Sequence, residues 1–277
     1  MTAFADGSGL PGIGLVPGWL TTAAHWWGPH GLLVSLREHV VYTVVAVLVA
    51  ALIALPAGLV IGHTGRGVVL VVGLANAVRA VPAFGLLLLL VVTITPKIKY
   101  THAVSWLVST GGVPYVVPVE IVLVILAIPP ILTNTYAGVQ NVDPAVRDAA
   151  TGMGMRGGQV LRGVELPIAL PLILSGVRSA VLQVIATATI AAYLPFLGGL
   201  GYLIFNGLPQ INDPNVGYPA MLGAGIVVAA LAVTADLLLL GVQRVVVSRG
   251  VSQRFRTGVA YDPNEITKRV GVSPANA

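Results

Sequence analysis

Long apolar stretches separated by short polar segments dominate the hydropathy pattern of this chain. A membrane-spanning helix requires about 20 mostly apolar residues, so each stretch of that length is a candidate span. Five stretches qualify, at about 40–62, 68–93, 118–138, 167–194 and 219–246. The pattern predicts an all-α integral membrane protein with about five transmembrane helices.

Prolines interrupt two of these stretches. Pro82 lies in the middle of the second stretch, where it removes a backbone donor and crowds the preceding turn. We expect one kinked helix there, and the count rises to six if the span is split. Pro129 and Pro130 predict a break in the third span, which would serve either bundle packing or a hinge movement.

Composition and charge support a membrane protein and give it an orientation. Apolar residues make up 56% of the chain and charged residues only 9%, whereas a soluble domain carries about 25% charged residues. With the N-terminus outside, nine basic residues fall on the inner side and three on the outer side, as the positive-inside rule requires. The inner nine are Arg66, Arg147, Arg156, Arg162, Arg249, Arg254, Arg256, Lys268 and Arg269, and the outer three are Arg37, Lys97 and Lys99. We expect a multi-pass protein of the cell (inner or plasma) membrane with a cytoplasmic C-terminus. Because the basic residues lie mostly in loops and the tail, the net charge of +5 does not indicate nucleic-acid binding.

Three regions follow from this pattern. Residues 1–39 form an N-terminal extracytoplasmic or interfacial segment, 40–247 the transmembrane domain, and 248–277 a cytoplasmic polar tail. The longest internal loop of the transmembrane domain, 139–166, faces the cytoplasm in this orientation.

The 139–166 loop has the features of a helix–turn–helix. Asp143 can cap a helix whose first residue is Pro144, and Gly152 and Gly154 can end it. An apolar stripe at helical spacing lies between them: Val146, Ala149, Ala150 and Met153. A second short helix is expected over about 156–165, with Arg162 and Glu165 at its surface. Such a loop either docks a partner protein or merely covers the inner end of the bundle.

The same loop contains the pattern D-A-A-x3-G-x9-V-x-L-P, from Asp148 to Pro167. This resembles the E-A-A-x3-G-x9-I-x-L-P loop of the permease subunits of ABC importers, with Asp in place of Glu and Val in place of Ile. In that family the loop binds a separate ATPase. The resemblance implies an ABC type I importer permease-like fold. It also assigns docking and coupling to six residues: Asp148, Ala149, Ala150, Gly154, Leu166 and Pro167.

Further segments resemble one subfamily, the permeases of importers for osmoprotectants such as glycine betaine, choline, carnitine or proline betaine. They are residues 80–82, 134–144, 186–191 and 198–201. The methionine-importer permeases share the general pattern. The resemblance implies ABC ATPase subunits, an extracytoplasmic substrate-binding protein and a second permease subunit, identical or paralogous, as partners in the bilayer.

Sequence motifs for chemistry are lacking. No Gly-x4-Gly-Lys-Ser/Thr phosphate loop occurs, so we expect no cofactor in this chain, with ATP and Mg bound by the partner ATPase. No catalytic constellation stands out, and the histidines have no metal-ligand spacing. We therefore expect neither a catalytic nor a metal site, and a protein that is not an enzyme.

Four charged residues within or beside the predicted spans are candidates for the pathway or for ion pairing: Arg79, Glu120, Arg178 and Asp236. Because charge in the membrane is costly, each should face protein or water. Arg79 is either a pathway residue or a partner of Glu120 or Asp236, and Arg178 either snorkels or pairs with Asp236. The alternative function is an ion-coupled secondary transporter or channel that uses Arg79, Glu120 and Asp236.

Overall fold

A computed structural model of the chain describes residues 13–99, 113–194, 197–211, 213 and 216–247. Nearly all of these residues are helical, and no strand occurs within these ranges, which confirms the all-α prediction. The helices are α1 (Val16–Thr21), α2 (Leu32–Thr64), α3 (Val68–Ala80), α4 (Ala83–Ile94), α5 (Val113–Gln140), α6 (Pro144–Gly152), α7 (Gly157–Val160), α8 (Leu166–Ala191), α9 (Leu200–Gly207) and α10 (Gly217–Val246).

The centre of the bundle is formed by α2, α5 and α8, with α5 packed extensively against both of the others. Their facing surfaces supply most of the buried apolar core, to which α3 and α4 add a few residues. Core members from the three central helices include Ala46, Ala50, Leu123, Ile131, Ala180 and Val184. The many alanines among them allow the helix backbones to approach closely, as is common where membrane helices associate.

Glycines fix the contact between α2 and α5 at one end of the bundle. A Cβ atom on Gly58 would lie 2.7 Å from Thr135 Cβ, and one on Gly62 would lie 2.7 Å from Val139 Cβ. The two glycines are four residues apart on α2, which is the G-x-x-x-G spacing of close helix contacts in membranes.

The contact between α5 and α8 is equally close. A Cβ atom on Gly176 would lie 2.7 Å from both the Asn134 Cβ and the Pro130 carbonyl oxygen. On the α5 side, a Cβ on Gly138 would lie 3.1 Å from the Ala169 carbonyl oxygen. The three central helices therefore leave little room for sliding at this end.

The second predicted span is broken rather than kinked. The chain leaves the helix at Val81 and Pro82, both in extended conformation, so two short helices, the alternative left open by the sequence, replace the expected single kinked helix. Proline disfavours the helical conformation in the residue that precedes it, which explains the break. Since α3 and α4 have 13 and 12 residues, each rises only about 20 Å at 1.5 Å per residue, which is less than the bilayer core. Together the two halves suffice for one crossing.

The third predicted span shows the opposite behaviour, because α5 continues through Pro129 and Pro130. The predicted break there was wrong. Side chains one turn later bond the carbonyls of both prolines: Thr133 Oγ1 donates to Pro129 at 2.7 Å, and Asn134 Nδ2 donates to Pro130 at 2.8 Å. These bonds reinforce the turn that follows the prolines. The N–H groups that the prolines lack would have bonded the carbonyls of Ile125 and Leu126, and the extensive packing of α5 on α2 and α8 keeps the helix continuous there.

The outermost long helix, α10, packs mainly on α9 and less closely on α8. An apolar groove lies between it and the central helices, with Val44, Val181 and Leu238 among its lining residues. Within the described ranges, four helical segments are long and apolar enough to cross a membrane: Leu32–Thr64, Val113–Gln140, Gly157–Ala191 and Gly217–Val246. With the broken α3–α4 crossing, this agrees with about five spans.

Substitution of Gly62 by leucine is predicted to destabilise the bundle. The new side chain would meet both Val139 and the Tyr136 backbone, so α2 and α5 would have to separate, at a cost of about 1–3 kcal/mol for an overpacked site. Thermal unfolding of the purified protein in detergent measures this. Gly241→Leu is the matched control, since a Cβ at Gly241 meets nothing within 4 Å. Equal unfolding midpoints for the two variants would contradict the packing described here.

Candidate functional site

The loop between α5 and α8 begins with the predicted capped helix. Asp143 Oδ1 accepts a hydrogen bond from the Ala145 backbone N–H at 2.9 Å, and Pro144 is the first residue of α6. The helix ends at Gly152, and Gly154 follows with a φ of +87°. Side chains rarely adopt that conformation, so the glycine allows the chain to turn directly after the helix.

The second half of the loop differs from the prediction. Instead of a separate helix over 156–165, α7 passes through a wider π-type turn at Leu161–Glu165 and continues into α8. The π-type turn ends two residues before Pro167, whose ring crowds the preceding turn and which lacks one backbone donor. The result is one helical segment from Gly157 to Ala191. The loop is thus joined to the fourth span without a flexible connection.

The six predicted docking residues divide between the surface and the bundle. Asp148, Ala149, Gly154 and Pro167 are exposed. Ala150 is 2% exposed and faces the bundle. Leu166 is half-buried and packs against a small cluster formed by Val139, Ala169 and Ile173. The exposed four are available to a partner protein, and the other two hold the loop in place.

The apolar stripe of α6 is likewise divided. Ala149 and Met153 are four residues apart and exposed, and Met153 is 77% exposed. Ala149 directly follows Asp148, and Met153 directly follows the last residue of α6, so this part of the loop exposes a small apolar knob and one negative charge. Met153 is a flexible, polarisable side chain that adapts to an irregular groove. The helical spacing of Met153 from Ala149 was the only feature of the sequence that placed it on the apolar stripe.

Glu165 was predicted at the loop surface, and this was wrong. Its side chain is 1% exposed, and its two carboxylate oxygens contact different residues. Oε2 is 2.7 Å from His63 Nδ1, and Oε1 is 3.0 Å from Arg147 Nε. Arg147 also donates through Nη2 to the Val139 carbonyl. These partners are distant in sequence, so no local pattern revealed the cluster. Arg162 is exposed, as expected.

Within the spans, Arg178 and Asp236 form a two-pronged ion pair between α8 and α10. The Arg178 Nη2 donates to Asp236 Oδ2 at 2.6 Å, and Nε contacts Oδ1. This is one of the two arrangements that the sequence left open for Arg178. Mutual pairing keeps both charges tolerable between membrane helices.

The other two charged candidates are not brought together by any described contact. Arg79 lies in the last turn of α3, but its side chain is outside what the structure describes. Glu120 lies in α5, half-buried, and its Oε2 has no hydrogen-bond partner among the described residues.

A buried polar contact without any signal in the sequence lies at the opposite end of the bundle from the loop. Glu38 Oε2 accepts a hydrogen bond from the Gly199 N–H at 2.9 Å, and His39 Nε2 is 3.1 Å from the Ile185 carbonyl oxygen. Both side chains are at most 2% exposed. They tie α2 to the end of α8 and to the turn before α9. Both residues fall in the predicted N-terminal segment 1–39, outside the predicted first span, whereas α2 starts earlier, at Leu32.

Long apolar helices joined by a structured, partly exposed loop are the architecture of a multi-pass membrane protein. The family of binding-protein-dependent transport system inner membrane components matches residues 47–249, and the chain belongs to that family.

Curated relatives cover most of the chain. The glycine betaine/carnitine/choline transport system permease protein OpuCB of Bacillus subtilis is 30% identical over 220 residues, which are 79% of this chain and 90% of that protein. The carnitine transport permease protein OpuCD of Listeria monocytogenes is 33% identical over 75% of this chain and 82% of its own length. The osmoprotectant import permease protein OsmW of Salmonella typhimurium is 30% identical, over 80% and 94% respectively.

Solved structures share the fold. A chain of the MetNI methionine ABC transporter in an inward-facing conformation superposes with a TM-score of 0.59 at 20% identity, over 78% of this chain and 96% of that one. An amino acid ABC transporter crystallised with histidines gives 0.57 at 18% identity, over 77% and 92%. At these identities the likeness concerns the fold alone, and it confirms the predicted type I importer permease architecture.

Loss of Arg178 is predicted to destabilise the protein more than loss of both members of the pair. Arg178→Leu leaves the Asp236 carboxylate without its partner between apolar helices, whereas Arg178→Leu combined with Asp236→Leu removes the charge as well. The unfolding midpoint of the detergent-purified protein should fall for the single variant and recover in the double variant. A double variant no more stable than the single one would show that the pairing is not what makes the charges tolerable.

Proposed function

We propose that this chain is the permease subunit of an ATP-driven importer for osmoprotectants such as glycine betaine, choline, carnitine or proline betaine. The observation that carries the proposal is that the curated relatives, which cover most of the chain, are named for these substrates. The exposed surface of α6 supports the docking of a separate ATPase. Two such subunits enclose the pathway, and a binding protein outside delivers the solute. ATP and Mg are bound by the ATPase and not by this chain, which is not an enzyme.

The orientation of the chain follows from the same proposal. An ATPase is cytoplasmic, so α6 and the inner ends of α2, α5 and α8 face the cytoplasm, in agreement with the excess of basic residues on that side. The N-terminus then lies outside, and the polar tail lies inside.

The proposed docking surface consists of Asp148, Ala149, Met153 and Gly154. Met153 joins the predicted residues because of its exposure, while Ala150 and Leu166 act by anchoring the loop. Pro167 is exposed at the start of α8 and not on α6. ATP binding closes the ATPase pair, and α6 moves with the ATPase. Nucleotide drives transport because it stabilises one arrangement of the spans more than the other.

An ion-coupled transporter or channel finds no support. Among its three proposed relay residues, Asp236 is occupied by Arg178. The matching family and the named relatives are also components of binding-protein-dependent or osmoprotectant systems.

Uptake into vesicles tests the proposed function. The chain is reconstituted with the ATPase and binding protein of its system. Labelled glycine betaine, choline, carnitine and methionine are then offered, with and without ATP on the cytoplasmic side of the membrane. We expect ATP-dependent accumulation of at least one quaternary amine. Accumulation of methionine instead would overturn the substrate class, and accumulation driven by an ion gradient without ATP would overturn the importer assignment.

Gly154→Asp is predicted to abolish ATP-driven uptake and to reduce co-purification of the ATPase. The substitution adds charge and bulk at the centre of the proposed docking surface, and it strains a backbone with positive φ. Asn141→Asp is the matched control, because it adds the same charge at an exposed position just before α6. Full ATP-driven uptake by the Gly154 variant would show that α6 does not dock the ATPase.

A further inference from the structure

We propose that Glu165 is a positioning residue for the coupling of ATP hydrolysis to transport, an inference that rests on the proposed function. Its buried carboxylate fixes α6 to the inner ends of α2, α5 and α8, so that these four elements move as one body. Glu165 occupies an unspecified position of the V-x-L-P pattern. Its role therefore follows from its contacts and not from the loop motif.

The contacts of the carboxylate reach each of these elements. Glu165 itself lies at the junction of the loop with α8, and Oε2 is 2.7 Å from His63 in the last turn of α2. Oε1 is 3.0 Å from Arg147 Nε on α6, and the same guanidinium donates through Nη2 to the carbonyl of Val139 in the last turn of α5. We call Glu165, Arg147 and His63 the inner clamp.

The Glu165 carboxylate lies between two groups that can act as its partners, His63 and Arg147. An ionised carboxylate only accepts hydrogen bonds, so His63 Nδ1 carries the hydrogen and donates it to Oε2. Arg147 Nε lies within ion-pair distance of Glu165 Oε1 but forms no hydrogen bond with it. The hydrogen bond of this guanidinium runs from Nη2 to the Val139 carbonyl. A buried carboxylate is tolerated when it is paired in this way, and removal of one partner leaves an uncompensated charge.

Apolar packing alone does not fix the position of α6. In this nine-residue helix, Ala150 is the one buried residue, and it contributes a single methyl group. A contact of that size has no direction and resists sliding weakly. The hydrogen bond of Arg147 to Val139 and its ion pair with Glu165 therefore determine the position and the angle of α6 relative to the spans.

The spans that the inner clamp joins are already packed closely at this end. Gly58 and Gly62 bring α2 against α5, and Gly138 brings α5 against α8. Gly157 at the start of α7 makes room for the clamp itself, since a Cβ there would lie 3.2 Å from His63 Nε2. A displacement of α6 is thus passed to three spans at once instead of being absorbed in the loop.

This arrangement separates binding of the ATPase from transmission of its movement. The exposed docking surface on α6 does not include any member of the inner clamp. Loss of the carboxylate charge should leave ATPase binding and hydrolysis in place and make transmission inefficient. The measurable consequence is an increase in ATP hydrolysed per solute transported.

Glu165→Gln tests the inference, because glutamine keeps the size of the side chain and removes its charge. Uptake of labelled osmoprotectant and ATP hydrolysis are measured on the same vesicles, which contain the whole transporter. We expect uptake to fall roughly tenfold, within the range typical of residues along a coupling network, while hydrolysis and ATPase co-purification stay near wild type. Asp213→Asn is the matched acid-to-amide control. Asp213 is exposed beyond α9, remote from the loop, and its variant should keep the wild-type ratio.

A second set of variants distinguishes a shared contact from general weakening. Arg147→Gln should raise the ratio of hydrolysis to uptake as Glu165→Gln does, and the double variant should be no worse than either single variant. His63→Gln should also raise the ratio of hydrolysis to uptake. The His63 side chain is 27% exposed, so this variant tests the inference if Glu165→Gln does not assemble.

The outcomes are separable. A wild-type transporter that accumulates no quaternary amine with ATP would overturn the proposed function. With wild-type uptake intact, an unchanged ratio in Glu165→Gln and Arg147→Gln would overturn the inner clamp. Additive losses in the double variant, or loss of ATPase co-purification in the single variants, would also contradict a positioning role.

Discussion

The buried carboxylate of Glu165 is the point on which the arrangement of the loop depends. It lies where α7 continues into α8, and it contacts α6 through Arg147 and α2 through His63. In a poorly solvated site an unpaired charge is far more costly than a paired one. Glu165 therefore keeps these two partners once the bundle has formed, because water cannot replace them. The position of α6 is therefore a property of the whole inner end of the bundle.

The bundle itself combines one closely packed unit with looser parts. Glycines hold α2, α5 and α8 together, and Glu38 and His39 tie α2 to the far end of α8. By contrast, α3 and α4 are separated by the break at Pro82, and an apolar groove separates α10 from α2. Such a division suits a transporter, because movement needs rigid bodies as well as places where the structure can yield.

Much of the fold and of the loop could be predicted from the sequence, and each exception has a physical reason. Hydropathy located five crossings because each reflects some 20 consecutive residues, and Asp143 was recognised because a cap acts within its own helix turn. The effect of proline was misjudged in both directions, since Pro82 ends a helix and Pro129–Pro130 do not. In the second case α5 continues as a helix between α2 and α8, both of which pack extensively against it. Glu165 was misplaced because His63 is 102 residues away in sequence, and tertiary contacts of that range leave no periodic signal.

The central claim is that α6 moves together with the inner ends of the central spans. The chain has no cysteine, so spin labels can be attached through Thr64→Cys at the end of α2 and Ala145→Cys on α6, both at exposed positions. In an assembled transporter with one labelled subunit, the distance between the labels is measured by pulsed electron paramagnetic resonance without nucleotide and with ATP trapped. The account predicts the same distance in both states. A distance that changes with ATP would show that α6 moves independently of the spans.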